Sequence, residues 1–237
     1  MATGVAHVSW DEEYERAGMP SSSRDRPSST VVWALENWTR LEGGGTPRRG
    51  LDVGCGTARN TVYAASNGTS MIGFDASEAA IELGRERVGA TGGDVELLVH
   101  DLGAGLPAGD GEIDVVFDVF VYKHQVDPAA RQRYRAELCR VLGPRGHLLI
   151  SLAEPGDGYY AACPPSTDMS AAPNAIRDPV ARIDSVLFSL DTLTAEMEDA
   201  FRLEMAWRKE RIGTMHGREY IRRTLATLWR PWDEHRQ

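Results

Sequence analysis

Apolar and polar positions alternate along the middle of the chain in blocks that predict strands and helices in turn. Short apolar runs with the length of buried strands lie at 50–53, 70–74, 95–99, 113–121 and 147–152. Segments with apolar residues at helical spacing lie between them, at 57–67, 77–88 and 128–142. This alternation predicts right-handed crossovers and a mostly parallel, Rossmann-like α/β sheet with helices on both of its faces.

The flanking segments have different patterns. Residues 1–45 predict a cap of one or two helices, and residues 154–179 are rich in Pro, Gly, Ser and Ala, which is typical of a long loop or lid. After a helix at 190–200, two strand-like runs at 201–211 and 219–228 predict an antiparallel hairpin added to the sheet. We therefore expect one domain over 1–237, divided into the cap (1–45), a core (48–152), a lid and helix (153–200) and the hairpin (201–237).

Composition agrees with a single folded domain. The 237 residues include 42% hydrophobic and 26% charged residues, with 26 Lys+Arg against 35 Asp+Glu and a formal net charge of −9. A chain of this length buries enough surface to fold without disulfides. The three cysteines (Cys55, Cys139 and Cys163) form no CxxC pair, which argues against a disulfide framework and a cysteine zinc site.

These features also bear on location and partners. The sequence shows no secretory signal pattern and no run of 18 apolar residues, so we expect a cytoplasmic protein that does not span the membrane. The acidic balance disfavours nucleic-acid binding, because neutralising phosphates requires a basic footprint. Residues 200–237 differ, with 9 Lys+Arg against 5 Asp+Glu. A homodimer is the default expectation for a cytoplasmic enzyme.

The strongest motif follows the first predicted strand. Asp52 ends that strand, and Gly54, Cys55 and Gly56 lead directly into a helix, at the edge where open α/β sheets bind ligands. The glycines allow a tight turn and a close approach of backbone to ligand. Asp75 ends the second strand about 20 residues later, where a carboxylate is placed to bind ribose hydroxyls, and Asp101 ends the third. Acidic residues at three successive strand ends predict a nucleoside ligand without phosphates.

These segments resemble a known family. The stretches LDVGCGTARNTVYAASNG, MIGFDAS, VHDL and IDVVFDVFVYKH are similar to the class I S-adenosylmethionine-dependent methyltransferases over roughly residues 48–152, and the first is most similar to the tellurite-resistance type. Ala58 departs from that pattern, which usually has a third glycine there. The resemblance implies a seven-stranded sheet with a hairpin at one edge, S-adenosylmethionine as cofactor, and S-adenosylhomocysteine as product.

The resemblance also implies roles for individual residues. Asp52 and the backbone of 54–56, including Cys55, would hold the methionine portion, and Asp75 the ribose. The remaining assignments are Ala76 and Ser77 to the adjoining loop, Asp101 and Leu102 to the adenine, and Asp118 to the position facing the departing methyl group. Trp10 and Tyr14, one helical turn apart, either offer an aromatic face to the cofactor or pack the N-terminal helix.

Candidates for the chemistry come from two segments. Methyl transfer is an in-line displacement, and a proton-bearing acceptor needs a base within hydrogen-bonding reach. His124 follows the fourth strand and either borders the substrate pocket or caps a loop, and its neighbours, Tyr122 among them, are candidates to orient a substrate hydroxyl or acid. His216, in the hairpin turn, occupies a place where the tellurite type has a histidine. Either histidine is a candidate base whose replacement by Ala would lower turnover.

The acceptor side is less readable. Arg218 and Arg222 share one strand face and are candidates to bind an anionic substrate, whereas Arg223 must face the other way. The pair at 159–160 is either a substrate platform or a loop anchor. Cys55 suits packing more than nucleophilic chemistry. No histidine and carboxylate group has metal-ligand spacing, so we expect no metal.

Several functions remain in competition at this point. The leading hypothesis is methylation of an oxygen, nitrogen or sulfur atom of a small molecule, such as a secondary metabolite; a peptide terminus is the alternative acceptor. A nicotinamide-dependent oxidoreductase is disfavoured because Arg59 occupies the third glycine position of the dinucleotide fingerprint. A non-catalytic cofactor-binding protein is the third class, and titration with NADH and turnover assays separate the three.

Overall fold

The computed structural model describes residues 25–232, in which helices and strands alternate as the sequence predicts. The helices are α1 (Ser29–Leu41), α2 (Arg59–Ser66), α3 (Glu78–Thr91), α4 (Pro128–Val141) and α5 (Leu190–Met197). The strands are β1 (Arg49–Val53), β2 (Ser70–Asp75), β3 (Val95–Val99), β4 (Ile113–Val119), β5 (Leu142–Ala153), β6 (Ala175–Arg177), β7 (Asp184–Val186), β8 (Phe201–Met215) and β9 (Arg218–Pro231).

Seven strands form the main sheet in the order β3-β2-β1-β4-β5-β9-β8. The first five are parallel, and β9 and β8 add an antiparallel hairpin at one edge. The expected mostly parallel sheet with a C-terminal hairpin is therefore confirmed. Successive strands are added in one direction from β1 to β3 and in the other from β4 to β5, and such a switch point opens a crevice at the carboxyl ends of β1 and β4.

Helices cover both faces because the central strands are apolar on both. In β4, Val115 and Phe117 pack with α1 and α2, whereas Val116, with the opposite side-chain direction, packs with α4 and α5. Every residue from Val115 to Asp118 is buried. The sheet is thus held rigidly from both sides, and its carboxyl edge is a fixed platform for the loops that follow each strand.

The structure differs from the sequence expectations mainly at element ends. β4 stops at Val119, because Phe120 adopts left-handed backbone angles (φ 70°) that no strand continues. The hairpin is longer than expected, with His216 and Gly217 alone forming its turn. The lid contains the small β6–β7 sheet, which its Pro- and Gly-rich sequence did not predict. Of the expected N-terminal cap, α1 is present, and Trp10 and Tyr14 lie outside the described residues.

Among residues 25–232, no helix is long and apolar enough to cross a membrane.

Candidate active site

A cleft of about 1010 Å³ opens at the carboxyl ends of β1, β2, β3 and β4. The glycine turn after β1 and the ends of β2 and β3 form one side of it. The segment after β4, the lid and the hairpin form the other. The residues that border it include Gly54, Cys55, Asp75, Ala76, His100, Leu102, Phe120, Lys123, His124, Tyr160, Asp178, His216 and Arg222. The cleft therefore joins a part built by the parallel strands to a part built by the lid and the hairpin.

The turn between β1 and α2 is shaped by its glycines. Gly54 and Gly56 both have left-handed backbone angles, with φ of 58° and 55°. A Cβ on Gly54 would lie 2.6 Å from Cγ2 of Val121, so the loop after β4 leaves no space for a side chain there. The N–H of Cys55 donates to the carbonyl of Phe74 at 2.8 Å, which ties the turn to β2. The result is a tight turn in which Gly54 is exposed and borders the cleft, while Cys55 and Gly56 are buried behind it.

Ala58, at the position where the family pattern usually has a third glycine, is fully buried and also left-handed (φ 60°). An alanine in these angles is strained, whereas glycine adopts them freely. We expect Ala58→Gly to raise the free energy of unfolding by about 1 kcal/mol. Urea denaturation of both proteins measures this, and Ala64→Gly, inside α2, is the control that should lower stability by about 1 kcal/mol or more. A destabilised Ala58→Gly variant would contradict the strain argument.

Asp75 joins the two strand ends that meet at the cleft. Its Oδ2 accepts from the N–H of Gly56 at 2.9 Å, and its Oδ1 accepts from the N–H of Ser77 at 2.9 Å. The side chain is largely buried but borders the cleft. A carboxylate held this way at the end of β2 suits a pair of ribose hydroxyls, and Ala76, which is exposed beside it, leaves room for a flat base.

Other predicted binding residues lie further from the cleft. Asp52 is buried and accepts from the Thr61 hydroxyl at 2.6 Å, so it holds α2 against β1 and does not border the cleft. Burial raises the pKa of Asp52 to about 7. Ser77 caps α3, its side chain accepting from the N–H of Ala80. Asp101 is exposed and accepts from the N–H of Gly103, whereas its neighbour Leu102 borders the cleft.

Asp118 and Tyr122 lie behind the loop after β4, away from the positions that their expected roles require. Oδ1 of Asp118 accepts from the N–H groups of Val121 and Tyr122, and Oδ2 accepts from the hydroxyl of Tyr134 at 2.8 Å. The Tyr122 hydroxyl donates to Glu196 at 2.7 Å, on the side of α5. Both side chains are fully buried and neither borders the cleft. They fix the loop after β4 from behind, because the alternation of side chains in β4 directs Asp118 to the face covered by α4, where Tyr134 lies.

This placement gives a testable distinction for Asp118. Burial raises the pKa of its carboxyl group to about 6, above the value near 4 in an unfolded chain, so the folded state binds more protons between these pH values. Its contribution therefore makes wild-type stability fall as pH rises from about 4 to about 6. We expect Asp118→Asn, which can still accept both N–H bonds, to remove about 1–3 kcal/mol of that fall and to leave affinity for S-adenosylhomocysteine within about twofold.

Denaturation at several pH values and calorimetry measure the two effects. A large loss of affinity with unchanged pH dependence would instead return Asp118 to the binding surface.

The two candidate histidines lie at different depths. His124 lies in a single 3-10 turn after β4, with Nδ1 3.0 Å from the carbonyl oxygen of Asp184 and 3.2 Å from Oγ of Ser185. Burial and the neighbouring Lys123 lower its pKa to about 3, so it is a weak base at neutral pH. His216 is exposed in the hairpin turn, and its ring packs against Tyr159 at 5.4 Å. Both border the cleft.

Lys123 also borders the cleft, although the sequence did not predict a role for it. It is fully buried, and its Nζ has no hydrogen-bond partner among the described residues. The amine lies 3.7 Å from the ring centroid of Tyr160 and 5.4 Å from that of Phe120. Burial, followed by the nearby Arg222, lowers its pKa to about 7. The sequence does carry one signal for it, since Lys123 and Lys209 are the only lysines among 26 basic residues.

The predicted anion-binding arginine is already paired. Arg222 is buried, and its Nε lies 2.8 and 3.1 Å from the two carboxylate oxygens of Asp157. Arg223 points the other way and pairs with Glu210 at the surface, as strand alternation predicts. Arg218 is exposed at the start of β9 and does not border the cleft. Tyr159 donates to Asp178 at 2.8 Å, so the tyrosine pair anchors the lid while Tyr160 still borders the cleft.

The chain is similar in sequence to known methyltransferases. Residues 51–146 match the model of a methyltransferase domain family. An uncharacterized methyltransferase of a Synechocystis species is 36% identical over 111 residues, which is 46% of this chain and 50% of that relative. This part of the chain is therefore similar to a methyltransferase domain. The chain spans about half the length of the curated relatives it matches. The segment that the family model matches, 51–146, contains the glycine turn and the ends of β2 and β3.

Solved structures share the fold of this methyltransferase domain and extend the likeness to the lid and the hairpin. One, reported for the conversion of a disulfide bond into a thioacetal group during echinomycin biosynthesis, has a TM-score of 0.71 at 20% identity and covers 97% of this chain and 94% of its own. Another is a 1,6-didemethyltoxoflavin N1-methyltransferase of Burkholderia thailandensis with bound 1,6-didemethyltoxoflavin and S-adenosylhomocysteine. Its TM-score is 0.61 at 20% identity, with 86% of this chain and 79% of that chain covered.

The expectation of a class I, S-adenosylmethionine-dependent methyltransferase fold is thereby confirmed, whereas the likeness to the tellurite type stays a prediction. The residues present fit that cofactor. Asp75 offers a carboxylate at the end of β2, Gly54 offers exposed backbone at the end of β1, and Leu102 offers an apolar contact at the end of β3. A nucleoside linked to a cationic amino acid needs these three kinds of surface.

Proposed function

We propose that this chain transfers a methyl group from S-adenosylmethionine to a small molecule. The observation that carries the proposal is the junction of two half-sites in one cleft. A carboxylate and a glycine turn border one end, and an aromatic pocket made by the lid, the segment after β4 and the hairpin borders the other. In-line displacement needs such a layout, with cofactor and acceptor approaching one point from opposite sides.

The chain's own residues would supply binding, orientation and exclusion of water. Asp75 and Leu102 would hold the nucleoside, and the backbone of 54–56 would hold the amino-acid portion. Bound S-adenosylmethionine supplies an activated methyl group on a sulfonium. Tyr160 and His216 would shield the reacting point, and His216 stays a candidate to contact the acceptor, since its ring already packs on the lid through Tyr159.

A small-molecule acceptor is favoured over a peptide terminus by the lid. Asp157 accepts from the N–H groups of Tyr159, Tyr160 and Arg223, so the lid is fastened to the hairpin across the acceptor end of the cleft. The Burkholderia neighbour, which holds a small heteroaromatic acceptor, is consistent with this. A nicotinamide-dependent oxidoreductase stays disfavoured, because Arg59 occupies the position of the third glycine in the dinucleotide fingerprint.

Release of S-adenosylhomocysteine tests the proposal. The full chain is incubated with S-adenosylmethionine and a panel of phenols, carboxylic acids, heteroaromatic amines, thiols, tellurite and short peptides. Turnover of a small molecule supports the proposal, turnover of peptides alone supports the alternative acceptor, and tight binding of NADH without binding of S-adenosylhomocysteine contradicts both. Cofactor binding without turnover of any acceptor would support a non-catalytic binding protein.

A further inference from the structure

Lys123 carries a buried amine that forms no hydrogen bond within the described part of the fold. A lysine that only stabilises a structure is expected to give its three N–H groups to carboxylates or carbonyls, because an unpaired buried charge is costly. Here Nζ has none of these partners among the described residues, although the side chain is fully buried. Its neighbours are the faces of two aromatic rings, those of Tyr160 and Phe120.

The groups around the amine explain why it has no ionic partner. Asp157, on the lid, is committed to Arg222 and to three backbone N–H groups. Oδ1 of Asp178 accepts from the Tyr159 hydroxyl and from the N–H groups of residues 180 and 181. Arg222 on β9 and Cys163 on the lid are the other ionisable side chains whose charge acts on it. Both nearby carboxylates therefore already accept hydrogen bonds from other donors, and the cation Arg222 lies close to the amine.

This arrangement makes the neutral amine of Lys123 accessible at neutral pH. Burial disfavours the ammonium form and Arg222 repels it, so the pKa of Lys123 falls to about 7 while that of His124 falls to about 3. A base is most effective when its pKa lies near the working pH. Near pH 7 Lys123 is therefore neutral in a sizeable fraction of molecules and can hold the proton it accepts, whereas His124, with a pKa of about 3, holds a proton poorly.

The surroundings also restrict the shape of a partner. Lys123, Tyr160, Phe120 and His216 all border the same end of the cleft, and three of these are planar rings. Aromatic side chains pack flat or edge-on against other rings, so this end of the cleft suits a planar molecule. The cations Lys123 and Arg222 suit a partner that gains negative charge as it reacts.

We propose that Lys123 accepts the proton of the methyl acceptor, and that the acceptor is a planar aromatic molecule with a weakly acidic O–H or N–H group. This rests on the proposed methyltransferase function. The acceptor's proton moves to the Nζ lone pair, giving an ammonium. The acceptor's freed electron pair forms the new bond to the methyl carbon while the C–S bond breaks and sulfur keeps that pair. The ammonium then loses the proton to solvent.

The test uses the full chain and two probes of different acidity, 2-naphthol, which is protonated at neutral pH, and 2,4-dinitrophenol, which is largely ionised there. The variants are Lys123→Met, which removes the amine, and Lys123→Arg, which keeps a cation but cannot act as a base near pH 7. Lys209→Met removes the other lysine, which donates to Ser29 at 2.7 Å, and is the matched control for the pH profile. Calorimetry with S-adenosylhomocysteine checks that each variant still folds and binds the cofactor product.

We expect wild type to methylate 2-naphthol with a rate that rises through an inflection near pH 7, and Lys209→Met to keep that inflection. Both Lys123 variants should lose it, with turnover of 2-naphthol lowered about 10²–10³-fold and that of 2,4-dinitrophenol by less than about tenfold. Equal losses for both probes, or an unchanged inflection in Lys123→Met, would overturn the role of Lys123 as base.

Failure of this proposal and failure of the methyltransferase function give different results. A wild-type protein that binds S-adenosylhomocysteine but leaves 2-naphthol unmethylated, or methylates only aliphatic amines or thiols, overturns the acceptor class and leaves the methyltransferase function in place. A protein with no affinity for S-adenosylhomocysteine overturns the function itself, and with it this inference.

Discussion

Replacement of Asp75 by Ala is expected to weaken binding of S-adenosylhomocysteine by about 2–3 kcal/mol, or 30- to 150-fold. Two losses combine in this figure. The variant lacks the carboxylate proposed to hold the ribose, and it leaves the N–H groups of Gly56 and Ser77 without their acceptor. The second loss loosens the glycine turn on which the amino-acid portion would lie. Calorimetric titration of both proteins with S-adenosylhomocysteine measures the change.

Asp114 offers a matched control for Asp75. Its Oδ2 also accepts from two backbone N–H groups, those of Arg48 and Arg49, but at the amino end of β1, across the sheet from the cleft. Asp114→Ala should therefore lower stability and leave cofactor affinity within about twofold. If the two variants lost affinity equally, the loss in Asp75→Ala would reflect general destabilisation, and the ribose contact would have to be sought elsewhere.

Replacement of Asp157 by Ala is expected to give the largest loss of stability, about 3–5 kcal/mol. Asp157 is fully buried and is the partner of Arg222, so its removal leaves a buried guanidinium unpaired. It also accepts from the N–H groups of Tyr159, Tyr160 and Arg223, which fasten the lid to β9. Urea denaturation measures the loss, and Asp157→Asn, which keeps an acceptor oxygen, should fall between wild type and Asp157→Ala.

The ion pair of Arg223 on β9 with Glu210 on β8 shows why burial decides how much stability is lost. Arg223 and Glu210 are 2.8 Å apart, as Arg222 and Asp157 are, but both are well exposed to solvent. Exposed pairs contribute about 1 kcal/mol or less, so Glu210→Ala should change stability only slightly. A loss of the same size in both variants would mean that the lid contacts of Asp157 contribute little.

Much of the fold was predictable because it depends on short-range patterns. Blocks of apolar residues predicted the five parallel strands and placed the glycine turn after the first of them. The acidic residues at the ends of β1, β2 and β3 indicated a nucleoside site. Asp75 is where that reasoning expects it, bordering the cleft. The face on which Arg222 lies also followed from simple strand alternation.

The roles of Asp118, Tyr122 and Lys123 could not be predicted in this way. β4 is apolar on both faces, so its pattern does not say which side chains point towards the open edge. Phe120 then ends the strand with left-handed backbone angles. In the single 3-10 turn that follows, Tyr122 contacts α5 and Lys123 borders the cleft. The isolation of Lys123 depends further on Asp157 and Asp178, which belong to a lid whose internal sheet the sequence did not reveal.

Calorimetric titration of the full chain with S-adenosylhomocysteine, followed by a titration with NADH, tests the central claim most directly. The account predicts one site for S-adenosylhomocysteine, weakened at least 30-fold by Asp75→Ala and unaffected by Asp114→Ala, and no tight binding of NADH. Binding of NADH in place of S-adenosylhomocysteine, or binding of S-adenosylhomocysteine that Asp75→Ala leaves unchanged, would contradict the placement of the cofactor at the carboxyl ends of β1 and β2.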